Sequence, residues 1–482
     1  MKENKIIKNY IYNLIYQILV IILPLITIPY LSRVLGAENI GIYGYTVSIV
    51  TYFTLIGALG IAKYGQREIA YVQDDGKKRS EVFWELNIIR FVSVLISTII
   101  FYIVFCLNNQ YKIYYRILTL ELIAVIFDIS WFFQGIEEFK KVVIKNSIVK
   151  LLSLICIFLF VKKSEDLIIY VLIYVFSILI GNLSFWINLN KYLTKINIKE
   201  LRFKRHIKPM ISLFFPQIAT SIYTVLDKTM LGTFSNNISE VGYYEQSQKI
   251  IKVALTFVTT LSFVMLPRIS NKYANGDISK INKYMKDSFC FDWFLGVPIT
   301  IGIMAIAPEF VPWFFGKGYE RIIYLLIYSS PIIIFISLST TIGTQYLVSI
   351  EKQNIQTVAV LIGASINVIL NCLLINKFNS YGAIIATVVA EFIIAIIEII
   401  YVLLKKELKI IDIFVDSYKN LIAGMIMYIA VRYVAKYIKI SILGTLIQVL
   451  IGAIAYIVVL IISKSHFIYF IFSKIKERIT HK

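Results

Sequence analysis

The residues of this chain with chemistry to do are lysines and carboxylates set at helical spacing inside long apolar runs. Between Pro209 and Arg268 two such runs flank the loop FSNNISEVG. On the first, Gln217, Ser221, Thr224 and Lys228 fall at i, i+4, i+7 and i+11, one face of a helix, with Asp227 on its flank. On the second, Glu245, Lys249 and Lys252 share a face. A polar stripe on a membrane helix must look away from lipid. Two of them suggest the wall of a polar cavity with a basic lining, suited to charge-assisted hydrogen bonds to an anion. Each lysine also has a plainer reading. Lys228 lies near a span end, where it can snorkel or pair with Asp227, and Lys249 can be neutralised by Glu245. Lys252 has no acid at i±3 or i±4 on its own helix, so it most needs an anionic partner.

Carboxylates at membrane depth are costly and read as cation or proton sites, or as packing partners for Arg or Lys. Glu121 and Asp128 are seven residues apart in the fourth span, which places them on one face. Glu391 and Glu398 share a face of the twelfth. Asp128, Glu121, Asp227 and Glu391 are the candidates for cation coupling or gating, with H+ or Na+ left open as the ion. In the third span, Glu85 and Arg90 read as snorkelling residues. Arg33 after the first span and Arg67 after the second complete the basic set expected to meet a substrate. The three histidines and four cysteines show no ligand spacing, so no metal and no cofactor are expected.

The elements that position these residues must be membrane helices. Hydrophobic residues make up 58% of 482 and charged ones 16%, with a mean hydropathy of +0.76. Each span takes roughly 20 residues, and the apolar runs number about 14. Two are expected near 10–32 and 40–62, others near 209–233, 289–308 and 415–435. The runs are continuous rather than alternating, which indicates helices and not a barrel. A net charge of +20 would suggest nucleic acid in a soluble chain. Here Lys and Arg fall roughly three to one on the side holding both termini, which places the termini in the cytoplasm and excludes nucleic acid as the reason. Pro24 and Pro29 in the first span mark expected kinks.

The stretch KYLTKINIKELRFKRHIK at 191–208 is the most basic connection and separates two similar halves. LG at 35–36 precedes GIY at 41–43 and then Arg67, and LG at 231–232 precedes GYY at 242–244 and then Arg268, at the same Gly-to-Arg interval. Six spans per half give both repeats one orientation, with a pseudo-twofold axis along the membrane normal. The expected organisation is therefore all-α: a six-helix bundle with the basic linker over 1–208, a second bundle over 209–408, and two further helices with a basic tail over 409–482.

No phosphate-cradling GxxxxGK[ST] and no HExxH or GxSxG is present. Every external loop is expected to be short, the longest from Glu309 to Glu320, which argues against a membrane glycosyltransferase or polysaccharide polymerase. The tandem halves argue against a channel. The run LITIPYLSRVLGAENIGIYGYTVSIVTYFTLIGALGIAKYGQREIA resembles the start of Wzx-type polysaccharide flippases of the multidrug/oligosaccharidyl-lipid/polysaccharide exporter superfamily. DISWFFQGIEEFKK, LDKTMLG and EVGYYEQSQKI are similar to the same family at later positions, so the likeness spans the chain. It implies two bundles around a central cavity, alternating access, and export of undecaprenyl-pyrophosphate-linked oligosaccharides. It also implies contact with membrane lipids, and with the polymerase and chain-length machinery as partners. Two extra C-terminal helices border a lipid groove in the related lipid II flippases. A cation-coupled drug antiporter of the same superfamily is the alternative, and an acid-rich cavity would mark it.

Overall fold

In hydrocarbon a backbone must satisfy its hydrogen bonds internally, so long apolar runs fold as long helices. The computed structural model describes residues 2–187 and 189–468, without the side chains of 2–15, 198 and 215–223. The chain divides into two compact units, Met1–Gly232 with Asn237–Gly242, and Thr233–Asn236 with Tyr243–Lys482. The first unit contains α1 (Lys2–Ala58), α2 (Ile61–Tyr71), α3 (Gly76–Phe101), α4 (Lys112–Ile126), α5 (Ser130–Gly135), α6 (Phe139–Phe160), α7 (Leu167–Ser184) and nearly all of α8 (Lys204–Phe234). The second contains most of α9 (Ser239–Ala274), then α10 (Ile278–Phe314), α11 (Arg321–Ser329), α12 (Ile332–Ser339), α13 (Gln353–Phe378), α14 (Ser380–Leu404), α15 (Ile410–Ile413), α16 (Ser417–Ala435) and α17 (Ile442–Ile462).

Among the described residues, eleven helices are long and apolar enough to cross a membrane. One of them, Tyr16–Tyr71, takes in the span expected near 40–62 and all but the first residues of the one expected near 10–32. Helical dihedrals hold through Pro24 and Pro29 and break only at Gly36, whose φ of 76° and ψ of 168° suit a residue without a Cβ. The expected spans 209–233 and 415–435 are the helices α8 and α16, which are not among the eleven. Elsewhere helices overrun their expected limits. Only Asn275, Gly276 and Asp277 separate α9 from α10, and α10 runs on to Phe314 with Pro298, Pro308 and Pro312 inside it. Glu309, expected in a loop, therefore stands on a helix.

In the first unit the segments that sequence similarity pairs are in reciprocal contact. A Cβ on Gly41 would strike the carbonyl of Ile238, and one on Gly242 would strike the carbonyl of Ala37. Each glycine thus lies over the residue four before the other, a close small-residue crossing. Nearby, a Cβ on Gly232 would enter the Tyr45 ring. A separate aromatic core joins α2, α3 and α5: Phe83, Trp131 and Phe132 are fully buried, and Gly65 packs directly beneath Trp131.

Candidate functional site

The helix α8 carries the first stripe because its polar residues recur at one face. Thr229 donates to Ser48 Oγ at 2.9 Å and lies 3.0 Å from the Tyr52 hydroxyl, anchoring LDKTMLG to α1. Asp227 is buried, Lys228 half-buried and Thr224 exposed. The side chains of Gln217 and Ser221 lie outside the described residues. Arg33 is exposed. Arg67 pairs with Glu68 at 3.0 Å, and its guanidinium sits over the rings of Tyr64 and Tyr71 at 5.3 and 5.9 Å.

On α9, in the second unit, Lys249 Nζ lies 3.0 Å from Glu245 Oε1 one turn away. The neutralising partner expected from spacing is therefore in place, with Glu245 buried and Lys249 about one-third exposed. Lys252 is exposed. Lys228 and Thr224 belong to the first unit, Lys249 and Lys252 to the second.

The acids are arranged differently from what spacing suggested. Glu121 accepts a hydrogen bond from the Tyr174 hydroxyl at 3.3 Å on α4, as a helix position should. Asp128 does not share that face, because α4 ends at Ile126. Its Oδ1 instead accepts the Ser130 N–H at 3.0 Å and starts α5, while Arg90 donates to its main-chain carbonyl. Arg90 and Glu85 do not snorkel, since both are 1% exposed. Glu85 is the anchor of the basic linker: it accepts the Arg202 N–H at 2.5 Å, the Arg205 guanidinium at 2.5 Å and His206 Nε2 at 2.6 Å. His206 Nδ1 completes the chain with the Tyr64 hydroxyl at 2.8 Å. Those partners lie more than a hundred residues from Glu85, so no local pattern announces them.

Glu391 is buried on α14 beside Glu398, on the shared face that spacing predicts. Reading the sequence passed over Asp292, a single acid near the start of an expected span that the fold buries completely on α10. Outside the spans, Lys352 is bonded to Glu407, and this hydrogen bond lifts the ammonium above its ordinary range. Among the described residues no group of three His, Cys, Asp or Glu could hold a metal ion.

The sequence profile described as "Polysaccharide biosynthesis protein" matches residues 6–272, and that described as "MatE" matches 213–373. A protein of Escherichia coli (strain K12) named "Putative O-antigen transporter" is 23% identical over 409 residues, 83% of this chain and 98% of its own length. "Capsular polysaccharide biosynthesis protein CapF" of Staphylococcus aureus is 23% identical over 408 residues, 82% of this chain and 98% of its own. Among solved structures, lipid II flippase MurJ in an inward closed conformation has a TM-score of 0.75 at 18% identity, covering 94% of this chain and 98% of that one. An inward-facing multidrug resistance MATE family transporter of the MOP superfamily gives 0.62 at 11% identity, covering 80% of this chain and 94% of the other. The fold is that of the MOP superfamily.

Proposed function

The chain belongs to the polysaccharide biosynthesis protein family, membrane transporters rather than enzymes, and on that premise we propose that it flips undecaprenyl-pyrophosphate-linked oligosaccharides. They would pass from the inner to the outer leaflet of a bacterial cytoplasmic membrane, for surface polysaccharide. The observation carrying this is the match over nearly the whole length of two relatives whose names concern O-antigen and capsular polysaccharide. A sugar headgroup with two phosphates cannot cross hydrocarbon unaided. In this reading a polar wall replaces water, lysines meet the pyrophosphate, and the polyprenyl chain stays in lipid. Two six-helix bundles over 1–208 and 209–408 rock to alternate access, 409–482 adds two helices, and both termini face the cytoplasm. The polymerase and chain-length machinery would receive the product.

Deleting the gene should trap lipid-linked repeat units on the cytoplasmic side and remove the surface polymer, with restoration by a plasmid copy. Undiminished polymer in a strain lacking any second flippase defeats the assignment. The second reading, a cation-coupled drug antiporter, draws on the MatE match over 213–373. It predicts drug sensitivity on deletion with the polymer unchanged.

A further inference from the structure

The second unit buries two carboxyls that nothing above uses. Asp292 on α10 is 3% exposed and Glu398 on α14 is 0% exposed. Among the described residues no cation lies against their four oxygens, and the neighbouring hydroxyls stand short of good hydrogen-bond geometry. Both face one short stretch of backbone from opposite sides. The hydroxyls of Ser337 and Thr341 lie beside Asp292. Ser339 lies beside Glu398, and a Cβ on Gly343 would stand 2.5 Å from Glu398 Oε1. Ser337 is itself 1% exposed. Thr341 turns its hydroxyl to Ser262 on α9 at 2.8 Å.

From Thr340 to Leu347 this stretch is π-helical. Such segments are rare, because a wide turn gives up α-helical geometry, and they are frequent at functional sites. Charge compensation is missing as well. The one charged group acting on Glu398 is Glu391, of like sign, and none acts on Asp292 among the described residues. On the helices packed against α10 and α14 several charges are engaged elsewhere, and Lys377 of α13 is exposed. Asp412 pairs with Lys286 at 3.6 Å, Lys419 with Asp416 at 2.9 Å and Arg432 with Glu309 at 2.7 Å, while Arg321 lies over the Tyr381 ring. On the side of α13, Gln356 spends its amide on Thr344 at 3.0 Å.

An ionised carboxylate here would lose its hydration with no cation and only neutral hydroxyls to offset the cost, which runs to several kcal/mol. A neutral carboxyl meets no such penalty. We propose that Asp292 and Glu398, on either side of Ser337–Gly343, are a proton-binding site that couples transport to the proton gradient, an inference resting on the transporter reading above. In the packed conformation each oxygen pair holds a proton. When the cycle opens this stretch to water, the carboxylate is solvated and the proton leaves, so the two conformations differ in proton affinity, as coupling requires. A metal ion is the poorer occupant, because the acids stand apart on opposite faces of the stretch and no third ligating group joins them.

The test is infrared spectroscopy on the purified full chain in liposomes at neutral pH, with export measured in cells carrying the same variants. Asp292→Asn and Glu398→Gln should each remove one component of the protonated-carboxyl C=O band and leave the melting temperature unchanged. Both should insert normally and lose export, with Asp292→Glu restoring part of it. The proposal is overturned if neither variant alters that band, or if both neutral variants export at the wild-type rate. It is also overturned if sodium at fixed pH raises the melting temperature of wild type but not of Asp292→Asn, which would mean a metal site. Failure of the wild-type gene to restore polymer to the deletion strain would defeat the flippase reading alone, since the infrared bands report on proton binding without it.

Discussion

Lys249 and Glu245 neutralise one another; under the proposed function, the lysine would exchange that carboxylate for a phosphate. Removing the competing acid should therefore help rather than harm: Glu245→Gln should lower the substrate concentration for half-maximal flipping, and Lys249→Gln should raise it. Reversed signs would mean the pair serves packing alone. Lys252, exposed on the same helix, is the sharper probe. A charge-assisted contact is worth about 1.5–3 kcal/mol, on the order of tenfold or more in affinity. Lys252→Gln should fail in membranes holding equal amounts of protein, and Lys252→Arg should partly rescue, because Arg keeps the charge in a different shape. Equal export from all three proteins removes this residue from the site. Asp128 needs two substitutions, since its Oδ1 also holds the Ser130 N–H. Asn keeps that acceptor and loses only the charge, whereas Ala loses both, at about 1 kcal/mol of local stability. Slow export in Asp128→Asn with an unchanged melting temperature would indicate a role for the charge. Wild-type export in Asp128→Asn would leave only the turn.

Between α1 and the start of α9, Gly41 and Gly242 each occupy the space over the other segment's carbonyl. Any Cβ there must push backbone, not a flexible side-chain end. Gly41→Ala and Gly242→Ala should each destabilise by about 1–3 kcal/mol, the range of overpacking in a filled site. Gly302→Ala is the control, a helical glycine whose added Cβ would come no closer than 3.9 Å to the Met427 methyl. Thermal melts of the three proteins in one detergent decide the matter, and equal loss at all three positions would contradict the crossing. The repeat of LG and GIY with LG and GYY was legible in the sequence as a similarity, but not as a contact. Apolar runs announced most helices because lipid leaves the backbone no alternative. Their ends were less legible, because Lys272, Lys280 and Lys286 read as loop residues yet continue α9 and α10 beyond the apolar stretch. Glu85, Arg90 and Asp292 were harder still. A charge near a span end looks the same in sequence whether it snorkels or is sealed by helices distant in the chain, and here all three are sealed.

At the scale of the whole molecule, the sequence reading made the two last helices additions to a repeated core, whereas the second unit is packed around them. Ala423, Met427 and Val431 of α16, with Tyr456 and Leu460 of α17, belong to the same buried cluster as Phe289, Trp293 and Val297 of α10. Tyr456 donates to Asn420 at 2.6 Å, and Trp313 donates to Thr445 at 2.7 Å. Arg432 crosses from α16 to Glu309, bonding its two oxygens at 2.9 and 2.7 Å, and also donates to the Ala305 carbonyl at 3.1 Å. Gln448 of α17 reaches Glu309 as well, at 3.3 Å. Removing 409–482 would strip the apolar cover from α10 and leave the Glu309 carboxylate without its cation. The truncated chain should therefore be degraded or melt far below the full chain, rather than persist as a folded but inactive transporter. Arg432→Ala isolates the polar part of the argument. It should destabilise by about 1.5–3 kcal/mol, the worth of hydrogen bonds to a charged group, less whatever water returns to this partly exposed pair. Glu309→Gln combined with Arg432→Ala should recover part of that loss, because the uncompensated charge is gone. Protein level in membranes and the melting temperature are the readouts. A truncated chain at full abundance with an unchanged melt would mean that α16 and α17 are appendages after all.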